Sequence, residues 1–435
     1  MSELNFDEFA SASMHDWQRL VTKELGDKPF EGLIWILDDG IAVDPCAAES
    51  SQTYAMDIPA QWEMVQRILG DDAKQWNDRA LASLMGGCNS LIMPQAPNTQ
   101  EEFQSMLDGV FLQYIHLHIE QSSDALKTAN MLRQWCSLHS VNSKELRGSL
   151  GADGLKCSAD EFKSLSVFMK ENFGFFRVFT VNVRSVHEEG GSVVQEIAAA
   201  LAEGHALIVR CMDAGLTVDE ASALIQFNFA TGSSYFAEIA KYRAFRWAWK
   251  SIIEQYKPAF GCSINTHIQA STSRFLQTAK DVHNNLLRAT TQAMSAVVGG
   301  VNGLVVEPYN SLSTSADDAA LRWSRNIQQL LTEESYFEQF RAAANGAHYI
   351  ESLTHQILQT SWSRFQQWDA LCASQGVMAY AEERASAVQL HAQREQEKVK
   401  DGRRIVVGVN KYVNKADASV VEQSARTLTA SLEQP

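Results

Sequence analysis

Three chemically capable side chains crowd one turn: Arg184, Ser185 and His187, in the stretch VNVRSVHEEGGSVVQEIA at 181–198. A hydroxyl and an imidazole two positions apart offer a nucleophile and its base, and the guanidinium offers a fixed charge for an anion. The serine lacks the GxSxG surround of a nucleophile elbow, and no acid is obviously placed to orient the histidine. A second candidate is the HLH run with His116 and His118. Alternate residues of a strand face one side, so the pair could be two metal ligands; no third ligand is evident nearby and no metal site is expected. His267 and Gln269 repeat the alternate spacing in NTHIQAST, with Asn265 just before them. Thr231 with Ser233 and Ser234, Glu307, and Asn410 with Lys411 fall at further expected strand ends.

Such residues can meet only if a scaffold gathers strand ends. From about residue 80 onward short apolar runs alternate with longer helical patterns: CNSLIMP, FLQYIHLHIE, FFRVFTVNV, LIQFNFA, FGCSINTHIQ, NGLVVEP, a weaker AHYIESL, and RRIVVGVNKY. They are rich in Val, Ile and Phe, as buried parallel strands should be. The intervening segments carry helix punctuation. Ser158 and Glu161 have capping-box spacing, Phe162, Leu165, Phe168 and Met169 form one apolar face, and Gly174 suits the stop. Thr217 and Glu220 repeat the box. About eight alternations predict a (β/α)8 TIM barrel, whose chemistry sits at the C-terminal strand ends. Phe227 and Phe229 are bulky enough to fill its interior. The glycines of VVGGVNGL, 297–304, follow a helix and precede a strand, the reverse of a dinucleotide fold, so Gly299 and Gly300 are read as a helix stop.

Residues 1–75 read as an N-terminal helical and extended arm, which wraps a partner or packs on the barrel. It has a short helix in SMHDWQRLVTKEL and two extended runs around a turn at Asp38, Asp39 and Gly40. Residues 76–435 read as the barrel with C-terminal helices, of which 365–404 is expected to be one long polar helix packed outside.

The chain has 435 residues, 45% hydrophobic and 20% charged, with a net charge of −15. That is material for a large core, and the acidic balance argues against nucleic acid as a partner. The seven cysteines are widely spaced without a CxxC, which argues against a disulfide framework or a thiolate metal site. No run approaches the ~18 apolar residues of a membrane span, and acidic residues precede any hydrophobic run at the N-terminus; a cytoplasmic protein is expected.

Five blocks in order resemble the acyl-CoA-binding barrel of the methylmalonyl-CoA mutase family. They are SSYFAEIAKYRAFRWAW (233–249), NNLLRATTQAMSAVVGG (284–300), RWSRNIQQLLTEES (322–335), HYIESLT (348–354) and GRRIVVGVNKY (402–412); DIPAQWEMVQ (57–66) adds an N-terminal match. The resemblance implies a radical rearrangement between methylmalonyl-CoA and succinyl-CoA inside such a barrel. Adenosylcobalamin is held in that family by a separate flavodoxin-like domain. Many bacterial forms pair a catalytic large chain with a small chain that has lost the chemistry.

The departures decide between those two chains. The family's catalytic pattern YHxxEAG meets RSVHEEG here, so Arg184 stands for the tyrosine on the cobalamin side and Ser185 for the histidine that polarises the thioester carbonyl. His187 falls two positions later and does not restore the lost group. RTHxQTSG meets NTHIQAST, keeping His267 and Gln269 but putting Asn265 for a substrate-binding arginine. An RQYAGF-type loop has no counterpart, and no cobalamin domain is expected. The resemblance therefore implies a non-catalytic small subunit that binds a large mutase subunit and no cofactor of its own. Arg184, Ser185, His187, Asn265, His267 and Gln269 would be a vestigial pocket. An active barrel served by a separate cobalamin-binding subunit, and a stand-alone acyl-CoA-binding scaffold, are the alternatives.

Overall fold

The computed structural model describes residues 13–46, 53–55, 58–312, 317–414 and 427–429. Ahead of the main sheet, strands β1 (Trp35–Ile36) and β2 (Ala42–Val43) pair antiparallel around the turn at Asp38–Gly40, as the sequence predicts. Eight parallel strands then close into a barrel: β3 (Glu63–Arg67), β4 (Ser90–Gln95), β5 (His116–Gln121), β6 (Arg147–Ala152), β7 (Phe175–Asn182), β8 (Ile225–Thr231), β9 (His267–Thr272) and β10 (Gly303–Val305). They follow one another around the ring, and β10 pairs with β3 to close it. Helices link the strands and cover the outside, including Ala159–Asn172, Val193–Asp213, Tyr235–Gln255 and Asn284–Val298.

The count of eight holds, but its membership differs from the expectation. The first strand, EMVQR, lies inside the segment assigned to the arm, so the barrel begins near residue 63 rather than 76. Its inward positions are Glu63, Val65 and Arg67, and the two charged residues there hide the strand signal. The fourth strand, RGSLGA, was missed because it is rich in glycine, which disfavours strands. Gly148 has φ +142°, and a Cβ there would run into the backbone of Leu117 on the neighbouring strand. Glycine is required for β6 to lie against β5.

Two expected strands are absent. AHYIESL opens the helix His348–Gln375, which buries Ile350, Leu353 and Ile357 at helical spacing. RRIVVGVNKY is a turn with one isolated bridge between Val407 and Lys411, and about half of the Ile405 and Val407 surface is exposed. The barrel is already closed, so no edge remains for this segment to join. The helix expected after it falls largely at 415–426, outside the described residues. The long polar helix is two: Gly376, at φ +90°, separates His348–Gln375 from Val377–Lys400.

Helix starts are where their caps predict. Ser158 with Glu161, and Thr217 with Glu220, form both halves of a capping box. Asn284–Val298 stops at Gly299, with Gly300 at φ +86°.

Phe227 and Phe229 do not fill the barrel. Both point outward onto Phe245 of helix Tyr235–Gln255 at 4.8 Å between ring centres, and Phe227 also meets Trp249 at 4.8 Å. Each buried aromatic is worth about 2–3 kcal/mol, so strand β8 is clamped from outside. The inward face is polar instead: Gln226 and Asn228 on β8, and Gln269 and Ser271 on β9, border one interior space. Among the described residues no helix is long and apolar enough to cross a membrane.

Candidate functional site

The C-terminal mouth of a TIM barrel is where reacting groups normally converge. Here four charged side chains close it. Arg67 ends β3, Glu120 lies near the end of β5, Arg184 follows β7 and Glu307 follows β10. Arg67 pairs with Glu120, and its Nε lies 3.4 Å from Glu307 Oε1. Arg184 completes the square, 2.9 Å from Glu120 Oε1 and 3.4 Å from Glu307 Oε1. Charges alternate in sign around the ring, so every member has an opposite charge on both sides. Burial raises the Glu307 carboxyl, but Arg67, Arg184 and Arg274 outweigh it and hold the group below its ordinary value. Burial pulls Arg67 down to about 10, leaving it charged.

Beneath the ring the barrel is nearly full. The space bounded by Arg67, His118, Glu120, Arg184, Gln226 and Gln269 is about 10 Å³. That is at most one water, against the roughly 300–1,000 Å³ of a pocket for a small organic ligand.

The six residues singled out in the sequence do not share a pocket. Arg184 is in the ring, and Gln269 is buried below it with no partner for its Nε2. Ser185 is exposed, and its hydroxyl donates to the Asn182 carbonyl at 2.9 Å. His187 turns away from Ser185: its Nε2 bonds Ser273 Oγ at 2.8 Å, and its Nδ1 lies 4.0 Å from Glu196. The Ser185–His187 nucleophile reading fails on this geometry. Nor does Ser273 replace it. Ser273 is buried and its hydroxyl accepts from the Leu276 amide, while Glu196 is taken by Lys241 at 2.9 Å.

Asn265 and His267 lie at the other end of the barrel. Strand β9 starts at His267, and Asn265 is exposed before it. His116 likewise opens β5 rather than closing it. The strands begin later than their apolar runs, so these residues fall at the N-terminal end and not at the mouth. His116, His118 and His267 converge there on a carboxylate that the sequence reading missed. Glu63 Oε1 is 2.8 Å from His116 Nδ1 and 3.7 Å from His267 Nε2, and Glu63 Oε2 is 3.0 Å from His118 Nε2. Burial alone would raise Glu63; the His267, His116 and His118 rings outweigh it and hold the carboxyl well below its usual range. Burial and the Arg177 guanidinium push His267 well below its ordinary value, against the pull of Glu63. Glu63, Arg67 and Glu120 had no signal in the sequence beyond charge inside an expected strand or arm.

The methylmalonyl-CoA mutase family profile matches residues 95–433. The chain belongs to the methylmalonyl-CoA mutase family. It is 30% identical over 460 aligned positions to the methylmalonyl-CoA mutase small subunit of Porphyromonas gingivalis, covering 94% of this chain and 71% of that one. The small subunit of Streptomyces virginiae is 29% identical, over 83% of this chain and 64% of that protein. Methylmalonyl-CoA mutase of Rhizobium meliloti is 31% identical over 54% of this chain, which spans 33% of its length.

Proposed function

We propose that this chain is the non-catalytic small subunit of a heterodimeric, adenosylcobalamin-dependent methylmalonyl-CoA mutase. The large subunit interconverts methylmalonyl-CoA and succinyl-CoA, and this chain holds that subunit in its working form. The observation that carries the reading is the closed mouth. Arg184, standing for the family's tyrosine, is held between two carboxylates over a space of about 10 Å³. An acyl-CoA cannot enter without breaking that square. The residues do not fit adenosylcobalamin either: the surface that would meet the corrin is a charged, self-paired ring, and Ser185 is turned to its own backbone.

The arm supports a partner. Helix Met14–Leu25 fully buries none of its residues; Leu20 on it, and Trp35 and Ile36 of strand β1, are exposed. Apolar side chains left uncovered on an extended arm suit docking on another subunit. The seven cysteines are all free thiols, which suits a reducing cytoplasm.

Co-expression with the large mutase chain of the same genome tests this. A one-to-one complex, whose turnover with adenosylcobalamin is abolished by changes in the large chain's pocket and not by changes at Arg184 or Ser185, is expected. A large chain that is fully active alone and forms no complex would overturn it.

A further inference from the structure

We propose that Glu63, His116, His118 and His267 form a binding site for one divalent transition-metal ion of the zinc class at the N-terminal end of the barrel. The inference is independent of the partner and of the mouth. Glu63, His116 and His267 are the first residues of β3, β5 and β9, and His118 is two positions along β5. All four therefore project from strand backbones that neighbouring strands hold in register, not from loops.

The donor set is three imidazoles and a carboxylate, which suits zinc and its neighbours and not calcium or magnesium. One ligand atom each from Glu63, His116 and His118 lie within 4.8 Å of one another. His267 Nε2 is 3.7 Å from the nearer Glu63 oxygen. A tetrahedral ion with bonds of about 2.1 Å separates its ligand atoms by roughly 3.4 Å, so small ring rotations complete the site.

Two further observations point to a ligand. His267 is buried, yet its Nε2, aimed at this cluster, has no hydrogen-bond partner. Buried polar atoms left like this call for an explanation such as an ion. His118 also has the outer support that metal histidines carry. Its Nδ1 is 2.9 Å from Ser149 Oγ, which accepts from Gln226 Nε2 at 2.9 Å. With an ion on Nε2, Nδ1–H would donate to that hydroxyl and fix the ring. Side-chain exposure of 23% at His116 and 12% at Glu63 leaves a way in from solvent. The competing arrangement is Glu63 balanced by Arg177, whose charge acts on it. A site at this end would brace the barrel, because barrel chemistry belongs to the opposite face.

The test strips the full chain with a chelator, then titrates Zn²⁺ and Co²⁺ by calorimetry and visible absorption. Expected are one tight equivalent, a four-coordinate Co²⁺ spectrum without thiolate charge transfer, and a raised Tm. Glu63→Gln and His116→Gln should each weaken binding by more than about 100-fold, and Ser149→Ala by about 10-fold. Absence of a stoichiometric ion would overturn the proposal. So would a thiolate signature, or equal binding by folded Glu63→Gln and His116→Gln chains, since the ion would then sit on cysteines or other histidines. If the variants do not fold, X-ray absorption on the wild-type zinc form decides: imidazole and carboxylate ligands are expected, and sulfur would overturn it.

Discussion

At the scale of single residues, the mouth is governed by charge balance. Removing Arg184 leaves Glu120 and Glu307, both largely buried, sharing one arginine. Breaking a buried ion pair from one side costs about 3–5 kcal/mol, and Arg184 is partly exposed, so Arg184→Ala should cost about 2–3 kcal/mol. A urea midpoint unchanged from wild type would refute that. Glu307 adds a pH dependence. Its folded pKa lies below the unfolded value of 4.5, so the unfolded chain takes up the proton first as pH falls. The stability contributed by this group is complete above about 4.5 and is lost as pH drops through the lower folded value. Glu307→Gln should therefore flatten the acid limb of a stability–pH curve while lowering stability at neutral pH. An acid limb as steep as wild type would remove Glu307 from the cause. Of this square, the sequence exposed Arg184, because it replaced an expected tyrosine, and Glu307, as a polar strand end. Arg67 and Glu120 lay within runs that gave no sign of their facing one another.

At the scale of elements, two glycines make a contrast. Gly148→Ala would drive a methyl into the Leu117 backbone at a φ that alanine avoids, and neither strand can give way without opening the barrel. A loss of roughly 3 kcal/mol or more, or no folded protein, is expected. Gly376→Ala meets nothing within 4 Å, so only the left-handed backbone is strained. That change should cost about 1–2 kcal/mol. Thermal melts of the two variants check the order, and a larger loss at Gly376 would contradict it. Helix boundaries were legible because Ser158, Thr217 and Gly299 act on their own neighbours. Strands β3 and β6 were not, because a charged inward face and a glycine-dependent approach acquire meaning only beside β10 and β5. The helix start at His348 was mistaken for a strand because a short apolar run does not fix its own period.

At the scale of the whole molecule, arm and barrel should separate in experiment. No residue of helix Met14–Leu25 is fully buried. Deleting the chain up to Leu25 should leave the urea stability of the isolated protein within about 0.5 kcal/mol, yet weaken assembly with the large subunit at least tenfold. Sedimentation of the mixed chains reads the second effect; equal assembly by the truncated chain would deny the arm its role. The closed interior also sets what restoration can do. Arg184→Tyr with Ser185→His restores the family's residue types, but Arg67, Glu120 and Glu307 remain at the mouth, and no mutase turnover is expected.

The sequence by itself determined the class of fold, the alternation that builds it, the helix caps and the family, since each is written in local patterns or in blocks kept in order. It also singled out Arg184 and Glu307, which the structure places at the mouth. Only the tertiary structure decided which eight strands close the ring and which face of each looks inward. That choice sent Phe227 and Phe229 outside, joined Arg184 to Arg67, Glu120 and Glu307, and brought Glu63 to three histidines from two other strands. The physical reason is that a barrel interior is made of residues far apart in the chain. Whether it is a pocket, a plug or a metal site depends on how inward side chains meet across the axis, and no single strand encodes that.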